Sequence, residues 1–156
     1  MTDLHLLAHA YHTIMAAFVH EGRAPHYTEL GRSLGVNPDE ARRIQRDLLA
    51  SPGLPAWTHP DTDYIAAFAP FSNIPTHHRI SVDGREKWYG VCGPESLAVS
   101  WLFPTRRVTI DTLCLDCADP ITVQMQDGEV LSVIPDTAIG HVNLPRPRWS
   151  ENYAYA

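Results

Sequence analysis

Tyr89-Gly-Val-Cys92-Gly-Pro-Glu95-Ser-Leu97 is the point where a strand pattern gives way to a helix pattern, and the second half of the chain is organised around it. Lys87-Trp-Tyr-Gly-Val-Cys92 predicts a short strand running into a turn at Gly93, and residues 95–102 predict a helix. Gly93 suits the N-cap of that helix, and Pro94 its first position, where a missing N–H is no loss. The Cys92 sulfur then falls near the positive end of the helix, where unpaired N–H groups favour thiolate. Glu95 lies in the first turn, close enough to exchange a proton with that sulfur. A thiol beside a carboxyl at a strand-to-helix junction suggests an active site. The competing interpretation is a buried cysteine acting as a small hydrophobe, with Glu95 simply favoured by the helix dipole.

Strand patterns surround this stretch. Arg79-Ile-Ser-Val82 alternates, Asp83-Gly84 signals a hairpin turn, and residues 85–89 lead back. Beyond the helix, 107–113, 121–125 and 130–134 read as strands, with a second hairpin signal at Asp127-Gly128. Residues 140–144 and the alternation at Tyr153 and Tyr155 predict further extended chain. Pro70 to Pro75 reads as an irregular connector.

The first half is helical. Leu4, Leu7, Ala8, Tyr11, Ile14, Met15 and Phe18 recur at helical spacing and predict a helix over 3–20, with His5, His9 and His12 as a solvated row. Residues 28–34 predict a second helix. Asn37-Pro-Asp-Glu40 opens a third, with Asn as N-cap and Glu40 at the capping-box position. Ala41, Ile44 and Leu48 face inward from it, and Arg42, Arg43, Gln45 and Arg46 outward. This is a helix-turn-helix pattern, and residues 56–57 and 64–68 supply the strands of a wing. The expected fold is therefore α+β: a winged-helix-like module over 1–70, then a small, mostly antiparallel sheet with one helix over 71–156.

Composition narrows the function. The 156 residues, 44% hydrophobic and 19% charged, suit one ordinary domain or two small ones. Three cysteines are unlike a secreted disulfide framework, no apolar run reaches a membrane span, and the N-terminus lacks a basic signal region. A cytoplasmic protein is expected, with no membrane partner. The net charge of −6, and five arginines against six acidic residues in 1–50, argue against nucleic acid as a partner. Cys114-Leu-Asp-Cys117 leaves three interpretations open: half a zinc site completed by Cys92 and His141, a redox pair, or plain structure. Trp88, Tyr89 and Trp101 are candidates to line an apolar pocket for an organic group.

Ile80-Ser-Val-Asp-Gly84, Trp88-Tyr89, Cys92-x-x-Glu95, Leu102-Phe-Pro104, the apolar strand that follows and Cys117 together resemble the core of the alkylmercury lyases. The helix-turn-helix stretch ahead of them is similar to that family too. The resemblance implies cleavage of carbon–mercury bonds by a cysteine and a carboxylate acting with a second, downstream cysteine. Cys92 matches the first cysteine, and Glu95 stands where the family has aspartate. Cys117 matches a cysteine that is structural in the family. It implies, too, that the helical module helps to cover the site. No counterpart of the downstream cysteine occurs up to Ala156, so the expectation is binding of organic mercury through Cys92 with poor cleavage. No cofactor is required, but mercury or another soft metal would bind through Cys92, Cys114 or Cys117. The ligand is a small organic or organometallic molecule. The alternative is a non-catalytic module of the same fold that binds a soft metal or small ligand, with the helical module reporting it.

Overall fold

The computed structural model describes residues 2–141 together with Pro145 and Arg148, so most of the strand expected over 140–144, and Tyr153 and Tyr155, lie outside the described residues. The chain divides into two compact units, 1–69 and 70–156. The first holds helices α1 (Leu4–Glu21), α2 (Tyr27–Leu34) and α3 (Pro38–Leu49), then strands β1 (Ala56–Thr58) and β2 (Ile65–Phe68). The second holds β3 (Phe71–Ser72), β4 (Arg79–Val82), β5 (Arg85–Gly90), α4 (Gly93–Ala98), a 3-10 turn (Val99–Leu102), β6 (Val108–Leu113), β7 (Pro120–Gln126) and β8 (Glu129–Ile134). Helices and antiparallel strands in succession make this an α+β fold.

In the first unit, α1 buries Ala10, Ile14, Met15 and Phe18. The expected apolar face starts too early, because Leu4 is 78% exposed and Ala8 is exposed as well. His5, His9 and His12 are exposed, as expected of a solvated row. The Asn37 side chain caps α3 by accepting from the Glu40 N–H at 2.9 Å. A full capping box closes instead on α2, where His26 accepts from Thr28 and its own N–H donates to Glu29 at 2.7 Å. β1 and β2 pair as an antiparallel hairpin.

Gln45 is a correction. It faces inward, fully buried, and its side-chain amide donates to the Asp63 carbonyl at 2.7 Å. The Asp63 carboxylate meanwhile holds Arg42 at 3.2 Å and Arg46 at 2.8 Å, and Arg43 is shared between Glu40 and Asp47. Arg42 further covers the Tyr27 ring at 4.6 Å. The basic face of α3 is thus neutralised from within its own unit.

In the second unit the strand order is β3-β5-β4-β6-β7-β8, every observed pairing being antiparallel. Asp83-Gly84 and Asp127-Gly128 have positive φ at both positions, the backbone of two-residue hairpin turns. Phe71 and Ser72 form a two-residue strand inside the stretch expected to be irregular. Ile80, Val82, Trp88, Val99, Phe103, Val108, Ile110 and Met125 are buried, with Trp88 edge-on to Phe103 at 5.0 Å.

Gly90 decides how closely α4 sits on the sheet. A Cβ at this position would coincide with the Ser96 hydroxyl and press on Ile80. We predict that Gly90→Ala lowers stability by about 1–3 kcal/mol through overpacking, and that adding Ser96→Gly recovers part of the loss. Denaturant midpoints of the two variants check this; an unchanged midpoint in Gly90→Ala would contradict the close approach.

Candidate active site

The end of β5 is tied down on both sides before it reaches Cys92. The Gly90 N–H donates to the His78 carbonyl at 2.9 Å, and the Thr76 hydroxyl donates to the Gly90 carbonyl at 2.7 Å. The Val91 N–H donates to the Pro70 carbonyl at 3.0 Å. Cys92 then takes an extended conformation, φ −153° and ψ 178°, and is itself the N-cap of α4. The N-cap and the helix start therefore each fall one residue earlier than expected, at Cys92 and Gly93, with Pro94 in the first turn, and the helix passes into a 3-10 turn after Ala98. Both the N–H and the hydroxyl of Ser96 donate to the Cys92 carbonyl, at 2.9 and 2.6 Å. Position 92 is fixed through its backbone, which leaves the sulfur free of structural duty.

The electrostatics reverse one expectation. Burial pushes the Cys92 thiol up, the nearby Glu95 amide favours the thiolate, and the Glu95 charge disfavours it. The net shift is upward, so Cys92 rests as a thiol. The physical reason is that α4 has only six residues and its amide closes no full capping bond to the sulfur, whereas desolvation acts on the whole charge. Burial also pushes the Glu95 carboxyl up. A thiol and a carboxyl, three residues apart, share one half-buried corner. A carboxyl with a raised pKa is suited to donate a proton near neutral pH.

The other cysteines lie at the same end of the sheet. Tyr89 and Asp111 both pair with Arg79, so β5 and β6 flank β4 and run in the same direction. At that level the two strands are two strand spacings, roughly 10 Å, apart. Cys92 and Cys114 follow those residues by three positions each. Between them lies His78, whose Nδ1 is 3.0 Å from the Thr112 hydroxyl and whose pKa is lowered by burial and by His77. Motif spacing gave no hint of His78; its signal is the register of β4. Among the described residues no three of His, Cys, Asp and Glu converge as a cation site. The structure thus brings Cys92 to Glu95 and Cys114 to Cys117, but it does not gather all three cysteines, or His141, into one cluster. All three cysteines are free thiols.

Cys114 is the acidified thiol. The N–H groups of Cys117 and Asp116 and the Cys117 thiol all stabilise its negative form. Cys117 is pushed up: the Asp119 amide favours its thiolate, but the Asp119 carboxylate and the Cys114 sulfur hold its proton more strongly. The aromatic candidates divide. Trp88 is buried on Phe103, Tyr89 is half-buried, and Trp101 is 70% exposed, its indole lying where a Cβ on Gly128 would stand.

A thiol and a carboxyl at a strand-to-helix junction of an α+β fold define a candidate sulfur–acid centre. The sequence pattern of the alkylmercury lyases matches residues 71–156, just over half of the chain, and the protein belongs to the alkylmercury lyase family. Alkylmercury lyases of Bacillus cereus and Clostridium butyricum are each 32% identical to it over 75 residues, 46% of this chain and 32% of each relative. The matched region thus spans about a third of the length of these curated relatives. The crystal structure of the mercury-bound form of MerB2 shares the fold, with a TM-score of 0.64 and 22% identity over 85% of this chain and 65% of that one.

The electrostatics predict an order of reactivity. Alkylation of single-cysteine variants followed against pH should place Cys114 lowest and Cys92 above the usual thiol range. Glu95→Gln should move Cys92 downward, because it removes a repelling charge and keeps the amide. A Cys92 that ionises below Cys114 would contradict the dominance of burial.

Proposed function

We propose that this chain binds organomercurials at Cys92 and cleaves their carbon–mercury bond with a proton carried by Glu95. The observation that carries the proposal is the shared desolvation of the thiol and the carboxyl at the β5–α4 junction, within the region matched to the family. A soft cation prefers sulfur to nitrogen or oxygen. As the R–Hg⁺ unit approaches, the Cys92 S–H bond breaks, the sulfur takes the metal, and the proton moves to the Glu95 carboxylate. Glu95 then protonates the carbon, the C–Hg bond breaks, and R–H leaves. The inorganic mercury stays on Cys92 and fills its coordination with a thiol from solution, whose own proton is released to solvent. The balance is one proton taken from the thiol and delivered to carbon.

The carboxyl of glutamate has one methylene more reach than that of aspartate, and the six-residue helix carries it in its first turn. Burial raises its pKa, which matches the acid strength to a weakly basic carbon. Trp88, Tyr89 and Trp101 are proposed only as neighbours of the organic group. Among the described residues no helix is long and apolar enough to cross a membrane, and three free thiols suit the reducing cytoplasm in which we place the protein. A module that binds soft metal without cleavage is the second reading. The acidified Cys114, a sulfur outside the Cys92–Glu95 centre, favours it.

Glu95→Gln tests the division of labour. Hydrocarbon release from a simple organomercurial with excess thiol should fall by at least 100-fold, the usual worth of a positioned proton donor, with mercury binding retained. Glu95→Asp should keep part of the activity. Unchanged turnover in Glu95→Gln would remove Glu95 from the reaction, and binding without turnover in the native chain would favour the second reading.

A further inference from the structure

We propose that Cys114 and Cys117 form a second, independent metal site, a surface dithiol that takes one soft d10 cation such as Hg(II) in two-coordinate geometry. Two backbone bonds close the loop that carries them. The Ala118 N–H donates to the Cys114 carbonyl at 2.9 Å and the Cys114 N–H to the Asp119 carbonyl at 2.8 Å, with Ala118 at φ +60°. A chain folded this tightly brings residues three apart to within about 7 Å at Cα. That is close to the span over which two cysteines can be bridged. Cys117 is exposed, so the pair is open to solvent.

The donor set selects the metal. Structural zinc requires four ligands, and no third His, Cys, Asp or Glu joins this pair among the described residues. Two thiolates alone satisfy only a cation that is content with two soft ligands. Binding forms two S–metal bonds and releases the proton held by Cys117, along with any on Cys114, to solvent. Nothing is oxidised or reduced.

The site is tested without the Cys92–Glu95 centre, so its failure and the failure of the proposed lyase function are separable. Cys92→Ser protein is titrated with mercuric chloride while free thiols are counted and the ultraviolet absorption of the thiolate–mercury bond is followed. One Hg(II) should consume both thiols and survive a competing monothiol. Cys114→Ser or Cys117→Ser should each weaken retention by at least 100-fold, while circular dichroism reports an unchanged fold. Zn(II) at the same concentration should not be retained. Loss of one thiol per mercury, equal retention in either serine variant, or comparable retention of zinc would overturn the proposal.

Discussion

Ser96 sits where a side chain at position 90 would have to be, and the geometry of the second unit's chemistry follows from that contact. Because residue 90 is glycine, the first turn of α4 can lie directly on the end of β5. Because residue 96 is serine, its N–H and hydroxyl both bond back to the Cys92 carbonyl. Cys92 is thereby held extended at the helix start with its sulfur uncommitted, and Glu95 is carried to the same corner. Both groups are half-buried there.

Desolvation then outweighs the helix field. A six-residue helix concentrates little partial charge at its end, while burial acts on the full charge of a thiolate or carboxylate. Both groups are held toward their neutral forms. This has a sign in stability. A carboxyl whose folded pKa is raised stabilises the fold at low pH, and that contribution is lost as pH rises through the folded value. The proposed reaction starts from the protonated thiol beside an ionised Glu95, and the upward shift makes that carboxylate a better acceptor for the thiol proton.

The parts of the fold written in local chemistry were legible. The Asp83-Gly84 and Asp127-Gly128 turns, the Asn37 cap, the strands they flank and the Cys92–Glu95 spacing all follow from short-range rules. What was not legible depends on partners distant in sequence. Gln45 reads as a surface residue until the Asp63 carbonyl arrives to satisfy it, and the three arginines of α3 read as a basic face until Asp63, Glu40 and Asp47 neutralise them. The direction of the Cys92 shift required knowing its burial, and the acidity of Cys114 required knowing which amides its turn aims at the sulfur. The contact of the Trp101 indole with Gly128 in the β7–β8 turn likewise joins residues far apart in sequence.

The central claim is that the proton leaving Cys92 on metal binding goes to Glu95. Infrared difference spectra on adding methylmercury at neutral pH test it directly, since the S–H and protonated carboxyl stretches are both resolved from the amide bands. The account predicts loss of one S–H band with gain of one carboxylic acid band, the gain being absent in Glu95→Gln. Loss of the S–H band with the proton released to buffer, and no new carboxylic acid band in the native chain, would contradict it.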